Sequence, residues 1–123
     1  RVRDIRQRFG LPVMKVLGVL EADDVRVAGQ YEDVADRLMF DAKPPVGATR
    51  PGGNARAFDW SLLSDINTNL PWMLAGGLTA ENVGEAVNIS RAGAVDVSSG
   101  IEDAPGRKSL KKIAEFLAVT KNL

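Results

Sequence analysis

Asp41 and Lys43 stand two residues apart at the end of the apolar run Leu38-Met39-Phe40. A strand would project both to one face and put Leu38, Phe40 and Ala42 on the other. A carboxylate beside an ammonium on the inner side of a sheet is suited to proton transfer; it serves equally as a structural ion pair at a strand end. Gly76-Gly77 follows Trp72-Met73-Leu74-Ala75 and precedes Thr79, a good helix cap. Glycines there let the backbone approach a ligand, and free N–H groups at a helix start suit an anion, although a plain tight turn uses the same residues. Ser98-Ser99-Gly100 repeats the arrangement one unit later. Two successive Gly/Ser strand ends point to a phosphate more strongly than either alone. Asp96, set between Val95 and Val97, would sit in mid-strand, where a buried carboxylate needs a partner. It can contact ligand hydroxyls or hold a neighbouring loop. Arg50 and Arg56 can close over an anionic substrate or belong to an exposed, soluble loop. Glu102 is expected to be solvated and is given no role. Trp60 and Trp72 are expected to pack between helix and strand.

Composition narrows the chemistry. The 123 residues contain no Cys and no His, with 16 Lys+Arg against 16 Asp+Glu. Disulfides and Cys-type zinc sites are excluded, and a metal centre would need carboxylates alone. Zero net charge gives no reason to expect nucleic acid or an anionic membrane as partner. No apolar run approaches the ~18–20 residues that span a bilayer, and no signal-peptide pattern is present. The apolar share of 45% is enough for one globular unit. The sequence opens at Arg1 rather than Met, which marks it as processed, trimmed or part of something longer.

The elements that must position these residues alternate. Val2, Ile5 and Phe9 have helical spacing and Gly10 is a C-cap; with no start signal before them, the chain is expected to begin inside a helix. Residues 11–20 form a nearly unbroken apolar run, as in a strand covered on both faces, with Lys15 its one charge. A second helix is expected from Ala22-Asp23-Asp24, with Val27, Ala28, Tyr31, Val34 and Ala35 on one stripe. A second strand ends at Asp41-Ala42-Lys43, and residues 44–57 form a long Pro/Gly/Arg loop of the functional or mobile kind. A third helix carries Phe58, Leu62, Leu63 and Ile66, and a third strand covers residues 72–75. Thr79 caps a fourth helix with Glu81 in its first turn and Val83, Ala86 and Val87 inward. Residues 94–97 make a fourth strand, and Pro105-Gly106 precedes a last helix with Leu110, Ile113, Phe116 and Leu117 on one side. Pro105-Gly106 can also begin a short extra helix. The order implies an α/β fold with a parallel sheet. A flavodoxin-like sheet and part of a (βα)8 barrel both fit it; the polar residues gathered at the C-terminal strand ends favour the barrel.

Phe40-Asp41-Ala42-Lys43, Gly52-Gly53 spaced from Phe58-Asp59-Trp60, Leu74-Ala75-Gly76-Gly77-Leu78 with Glu81-Asn82-Val83, Val95-Asp96-Val97-Ser98-Ser99-Gly100-Ile101-Glu102, and Pro105-Gly106 occur in this order. Together they resemble the phosphoribosylanthranilate isomerases of tryptophan biosynthesis, from the first helix to the end of the sequence. The resemblance implies a (βα)8 TIM barrel and an Amadori rearrangement of N-(5-phosphoribosyl)anthranilate. The resemblance also implies that no metal or organic cofactor takes part. It implies that Asp41 is the general acid, that Gly76, Gly77, Ser99 and Gly100 bind the substrate phosphate through N–H groups, and that Asp96 meets the sugar or the developing enolamine. A cytoplasmic location follows from the pathway alone.

Two departures accompany the resemblance. Asn54-Ala55 stands where the family often has Thr/Ser-Gly, away from any catalytic group. The family's base is a cysteine on its first strand, in a segment like Lys-x-Cys-Gly, and an arginine near its second strand meets the anthranilate carboxylate; this chain has no cysteine. By motif order, residues 1–123 correspond to part of helix 4 and to strands and helices 5 to 8 of one barrel domain, with strands 1 to 4 absent. Such a half-barrel leaves two sheet edges and an inner face uncovered, so an N-terminal half-barrel or a homo-oligomer is expected to cover them. The alternative is a non-catalytic, phosphate-binding half-barrel.

Overall fold

The computed structural model describes residues 1–42 and 59–123. Lys43, the loop of residues 44–57 with Arg50 and Arg56, and Phe58 lie outside the described residues.

Helix α1 (Val2–Phe9) ends on Gly10 in the left-handed conformation (φ 61°), its N–H donating to the Arg6 carbonyl. Strand β1 (Met14–Val19) is shorter than the apolar run, because Leu11 and Pro12 belong to the connection. Asp36 ties that connection down. Its carboxylate accepts the Val13 N–H at 2.7 Å and pairs with Arg6 at 3.0 Å. The long second helix is not formed. Helix α2 (Ala22–Arg26) gives way to a 3-10 segment at Val27–Tyr31, where β-branched Val27 and Gly29 both weaken the α-helix.

Strand β2 (Arg37–Ala42) lies between β1 and β3 (Trp72–Ala75), parallel to both. Its alternation is that of a sheet with helices on one side. Leu38 and Phe40 are fully buried, joined by Leu17, Val19 and Leu74. The Phe40 and Trp72 rings form a T-shaped pair with centroids 5.4 Å apart. Trp60 is buried in the same core, so both tryptophans pack as expected. On β1, Lys15 sets its ammonium over the Tyr31 ring, 5.2 Å from the centroid. The opposite face, with Met14 and Val16, is open, and Val16 is 48% exposed.

The expected third helix is a single 3-10 turn, Trp60–Leu63, capped by Asp59, whose carboxylate accepts the Ser61 N–H at 3.1 Å. Ser64, Asp65, Asn67, Thr68 and Asn69 follow, and such residues bond the backbone in non-helical ways. Glu32 exploits two of them, accepting the Thr68 hydroxyl and the Asn69 N–H. Helix α3 (Val83–Ser90) buries Val83 and Ala86. It starts later than Thr79, yet Thr79 shapes its entry. The Thr79 hydroxyl accepts the Asn82 N–H at 3.3 Å, and Asn82 Oδ1 accepts the Thr79 N–H at 2.7 Å.

The fourth strand contracts to one parallel bridge, Leu74 to Val95. Pro105-Gly106 begins no helix. It turns a small antiparallel hairpin, β4 (Glu102–Ala104) and β5 (Arg107–Lys108), with Gly106 at φ 78°. Ser109 then caps α4 (Leu110–Thr120), accepting the Lys112 N–H at 3.2 Å. Phe116 is the residue α4 buries, whereas Leu110 is 86% exposed and Leu117 is also exposed. The single inward stripe expected for this helix is therefore incorrect.

Among the described residues no helix is long and apolar enough to cross a membrane.

Candidate functional site

The C-terminal strand ends enclose a cavity of about 250 Å³ whose lining includes Asp41, Gly76, Gly77, Asp96, Ser99 and Gly100. These six, drawn from three segments of the chain, are the residues to which the resemblance assigns the acid, phosphate and sugar contacts.

Asp41 reaches the cavity because β2 buries Leu38 and Phe40 on its other face. Its register partners are Gly18 and Ala75, both too small to cover the carboxylate. Gly76 lies against it. A β-carbon on Gly76 would stand 2.6 Å from Asp41 Oδ1 and 2.5 Å from the Ala42 carbonyl oxygen, and φ there is 96°. Gly77 is also left-handed, at 65°, but faces open space. At Gly100 a β-carbon would collide with the Leu78 carbonyl oxygen, so the last turn sits directly on the glycine turn before it.

Asp96 differs from expectation. It lies beside a single bridge rather than in mid-strand, and it is exposed. With no further strand beside it among the described residues, water reaches the inner face there. Its backbone N–H donates to the Leu74 carbonyl at 2.8 Å, and its carboxylate makes no hydrogen bond or ion pair among the described residues.

The N–H groups of Gly76, Gly77, Ser99 and Gly100 have no acceptor among the described residues. The neighbouring carbonyls are, by contrast, occupied. Asn82 Nδ2 donates to the Gly77 carbonyl at 2.9 Å, and Lys108 Nζ donates to the Ser98 carbonyl at 2.9 Å. Lys108 also pairs with Glu102 at 3.1 Å, and Lys112 Nζ donates to the Glu102 carbonyl at 2.7 Å. Glu102 is thus not solvated: its side chain is 14% exposed and serves as counter-ion to Lys108. Sequence reading missed Asn82 and Lys108. The Thr79-x-x-Asn82 spacing signalled the first, and the Pro105-Gly106 turn, read as a hairpin, would have brought the second back towards Ser98.

Residues 3–119 match the family model for N-(5'phosphoribosyl)anthranilate (PRA) isomerase. The chain belongs to this family. It is 62% identical over 117 residues to the N-(5'-phosphoribosyl)anthranilate isomerase of Paramagnetospirillum magneticum, covering 95% of this chain and 54% of that protein. The phosphoribosyl anthranilate isomerase of Thermotoga maritima superposes with a TM-score of 0.79 at 36% identity, over 98% of this chain and 56% of the other. An isomerase solved in complex with reduced 1-(o-carboxyphenylamino)-1-deoxyribulose 5-phosphate gives 0.74 at 33% identity, over 98% and 53%. The chain therefore spans about half the length of the relatives it matches.

Proposed function

We propose that this chain supplies the general acid and the phosphate site of a phosphoribosylanthranilate isomerase. In this reading residues 1–123 are strands 5 to 8 of a (βα)8 barrel, a single domain completed by strands 1 to 4. The observation that carries the proposal is the shared cavity. Asp41 and the unpaired N–H groups of Gly76, Gly77, Ser99 and Gly100 line one space, as an acid acting on the ribose end of a phosphorylated substrate requires.

Asp41, protonated, gives its proton to the furanose ring oxygen of N-(5-phosphoribosyl)anthranilate. The C1′–O bond breaks as the anthranilate nitrogen lone pair forms the C=N bond of a Schiff base. A base then removes the C2′ proton, and the electron pair moves towards nitrogen to give the enolamine. Tautomerisation places a proton on C1′ and leaves a ketone at C2′, the product being 1-(2-carboxyphenylamino)-1-deoxyribulose 5-phosphate. Proton transfer of this kind contributes ~10²–10⁴-fold. The base comes from outside these residues, in keeping with the cysteine that the family carries on its first strand. Asp96, exposed at the cavity rim, meets the sugar hydroxyls or the enolamine.

Among the described residues no Lys or Arg lines the cavity, and the four N–H dipoles are what these residues offer a phosphate. The relative solved with a phosphorylated product analogue supports this choice of ligand.

The open inner face, where Met14 and Val16 stand exposed, is covered in the complete barrel by its other half. An assay of the complete protein with N-(5-phosphoribosyl)anthranilate tests the reading. Conversion to the ketose is expected, and phosphate binding without conversion would favour a non-catalytic half-barrel instead.

A further inference from the structure

The two turns at the anion site share a feature that no glycine motif demands. In each, the carbonyl beside the unpaired N–H groups is held by a side-chain donor from the element that follows. Asn82 Nδ2 donates to the Gly77 carbonyl at 2.9 Å, and Lys108 Nζ donates to the Ser98 carbonyl at 2.9 Å. The Ser98 carbonyl also accepts the Ile101 N–H at 3.4 Å, so both of its lone pairs are engaged. Peptide planes are rigid, so the fixed Gly77 carbonyl sets the Leu78 N–H of the same plane and the fixed Ser98 carbonyl sets the Ser99 N–H; neither N–H has an acceptor among the described residues. No atom lies within 4 Å of where a β-carbon on Gly77 would stand, so packing on that side does not hold its plane.

From this we infer that Asn82 and Lys108 are positioning residues for the substrate phosphate. Each ties off a carbonyl that would otherwise be free to swing towards the anion, and each thereby sets the N–H of the next residue, Leu78 or Ser99, at the cavity those residues line. Lys108 does so as part of a neutral pair with Glu102, and it does not line the cavity itself. Its charge is balanced within the hairpin, and its function is directional. The inference rests on the phosphate-site reading given above.

The two roles of Asn82 can be separated. Its Oδ1 caps Thr79 while its Nδ2 holds Gly77, so Asn82→Asp keeps the cap and removes the donor. Lys108→Met removes the donor with similar bulk, and Lys108→Arg restores one. The experiment measures KM and kcat for N-(5-phosphoribosyl)anthranilate, competitive inhibition by inorganic phosphate, and the melting temperature, all in the complete protein. For Asn82→Asp and Lys108→Met the expected result is a rise of about tenfold in both KM and the phosphate inhibition constant, the factor that corresponds to 1.4 kcal/mol. In both variants kcat should fall by a smaller factor, and Lys108→Arg should recover most of the lost affinity.

Unchanged phosphate inhibition in both variants, with or without a lower melting temperature, would overturn the inference and leave the phosphate site standing. If the parent protein is not inhibited by phosphate at all, the phosphate-site reading falls and this inference falls with it.

Discussion

Gly76 and Asp41 share a van der Waals boundary: a single methyl group on Gly76 would stand 2.6 Å from the Asp41 carboxylate oxygen. The glycine turn therefore both borders the cavity and abuts the Asp41 carboxylate. A change at Gly76 cannot be confined to the proposed phosphate end of the site.

Gly76→Ala is expected to lower turnover at least tenfold and to destabilise the fold by ~1–3 kcal/mol, since the left-handed backbone and the collision with β2 act together. Gly77→Ala meets no atom within 4 Å and should show only the strain of its left-handed backbone, ~1–2 kcal/mol, with kcat little altered. Steady-state kinetics and thermal melts of the two variants, side by side, check the contrast.

Phe40 is fully buried on the face of β2 opposite the cavity, and its ring and that of Trp72 meet in a T-shaped pair. Phe40→Ala should destabilise the protein by ~3–5 kcal/mol, read from the midpoint of urea unfolding. Met39, next along β2 but on the cavity side and only half-buried, should give a clearly smaller loss when changed to Ala.

Ser109 caps α4 through the Lys112 N–H. Ser109→Ala is expected to remove ~1 kcal/mol of stability, with Ser109→Asp retaining most of it. Thermal denaturation distinguishes the two.

The strand-end residues were legible because β2 and β3 are short apolar blocks that stop abruptly at Asp41 and Gly76-Gly77, so pattern and punctuation agree. The errors have physical causes. At residues 59–70 the apolar positions are helically spaced, but Asp59, Ser64 and Thr68 bond the backbone first, and only one 3-10 turn forms. Helix α4 carries two apolar stripes, and spacing alone does not say whether Phe116 or Leu110 and Leu117 face the core. Among the described residues the segment of Asp96 pairs at Val95 alone, so its exposure depends on a neighbour that no local pattern encodes. Lys108 reaches Ser98 because Pro105-Gly106 reverses the chain, which a helix start would not have done. The long loop of residues 44–57 falls outside the described residues.

The most direct test of the account is the kcat of the Asp41→Asn variant of the complete protein on N-(5-phosphoribosyl)anthranilate, with phosphate inhibition measured alongside. Asparagine keeps the size of the side chain beside Gly76 and removes the transferable proton. A fall in kcat of ~10²–10⁴-fold with phosphate inhibition preserved is expected. Turnover equal to that of the parent protein would remove Asp41 from the mechanism and contradict the central claim.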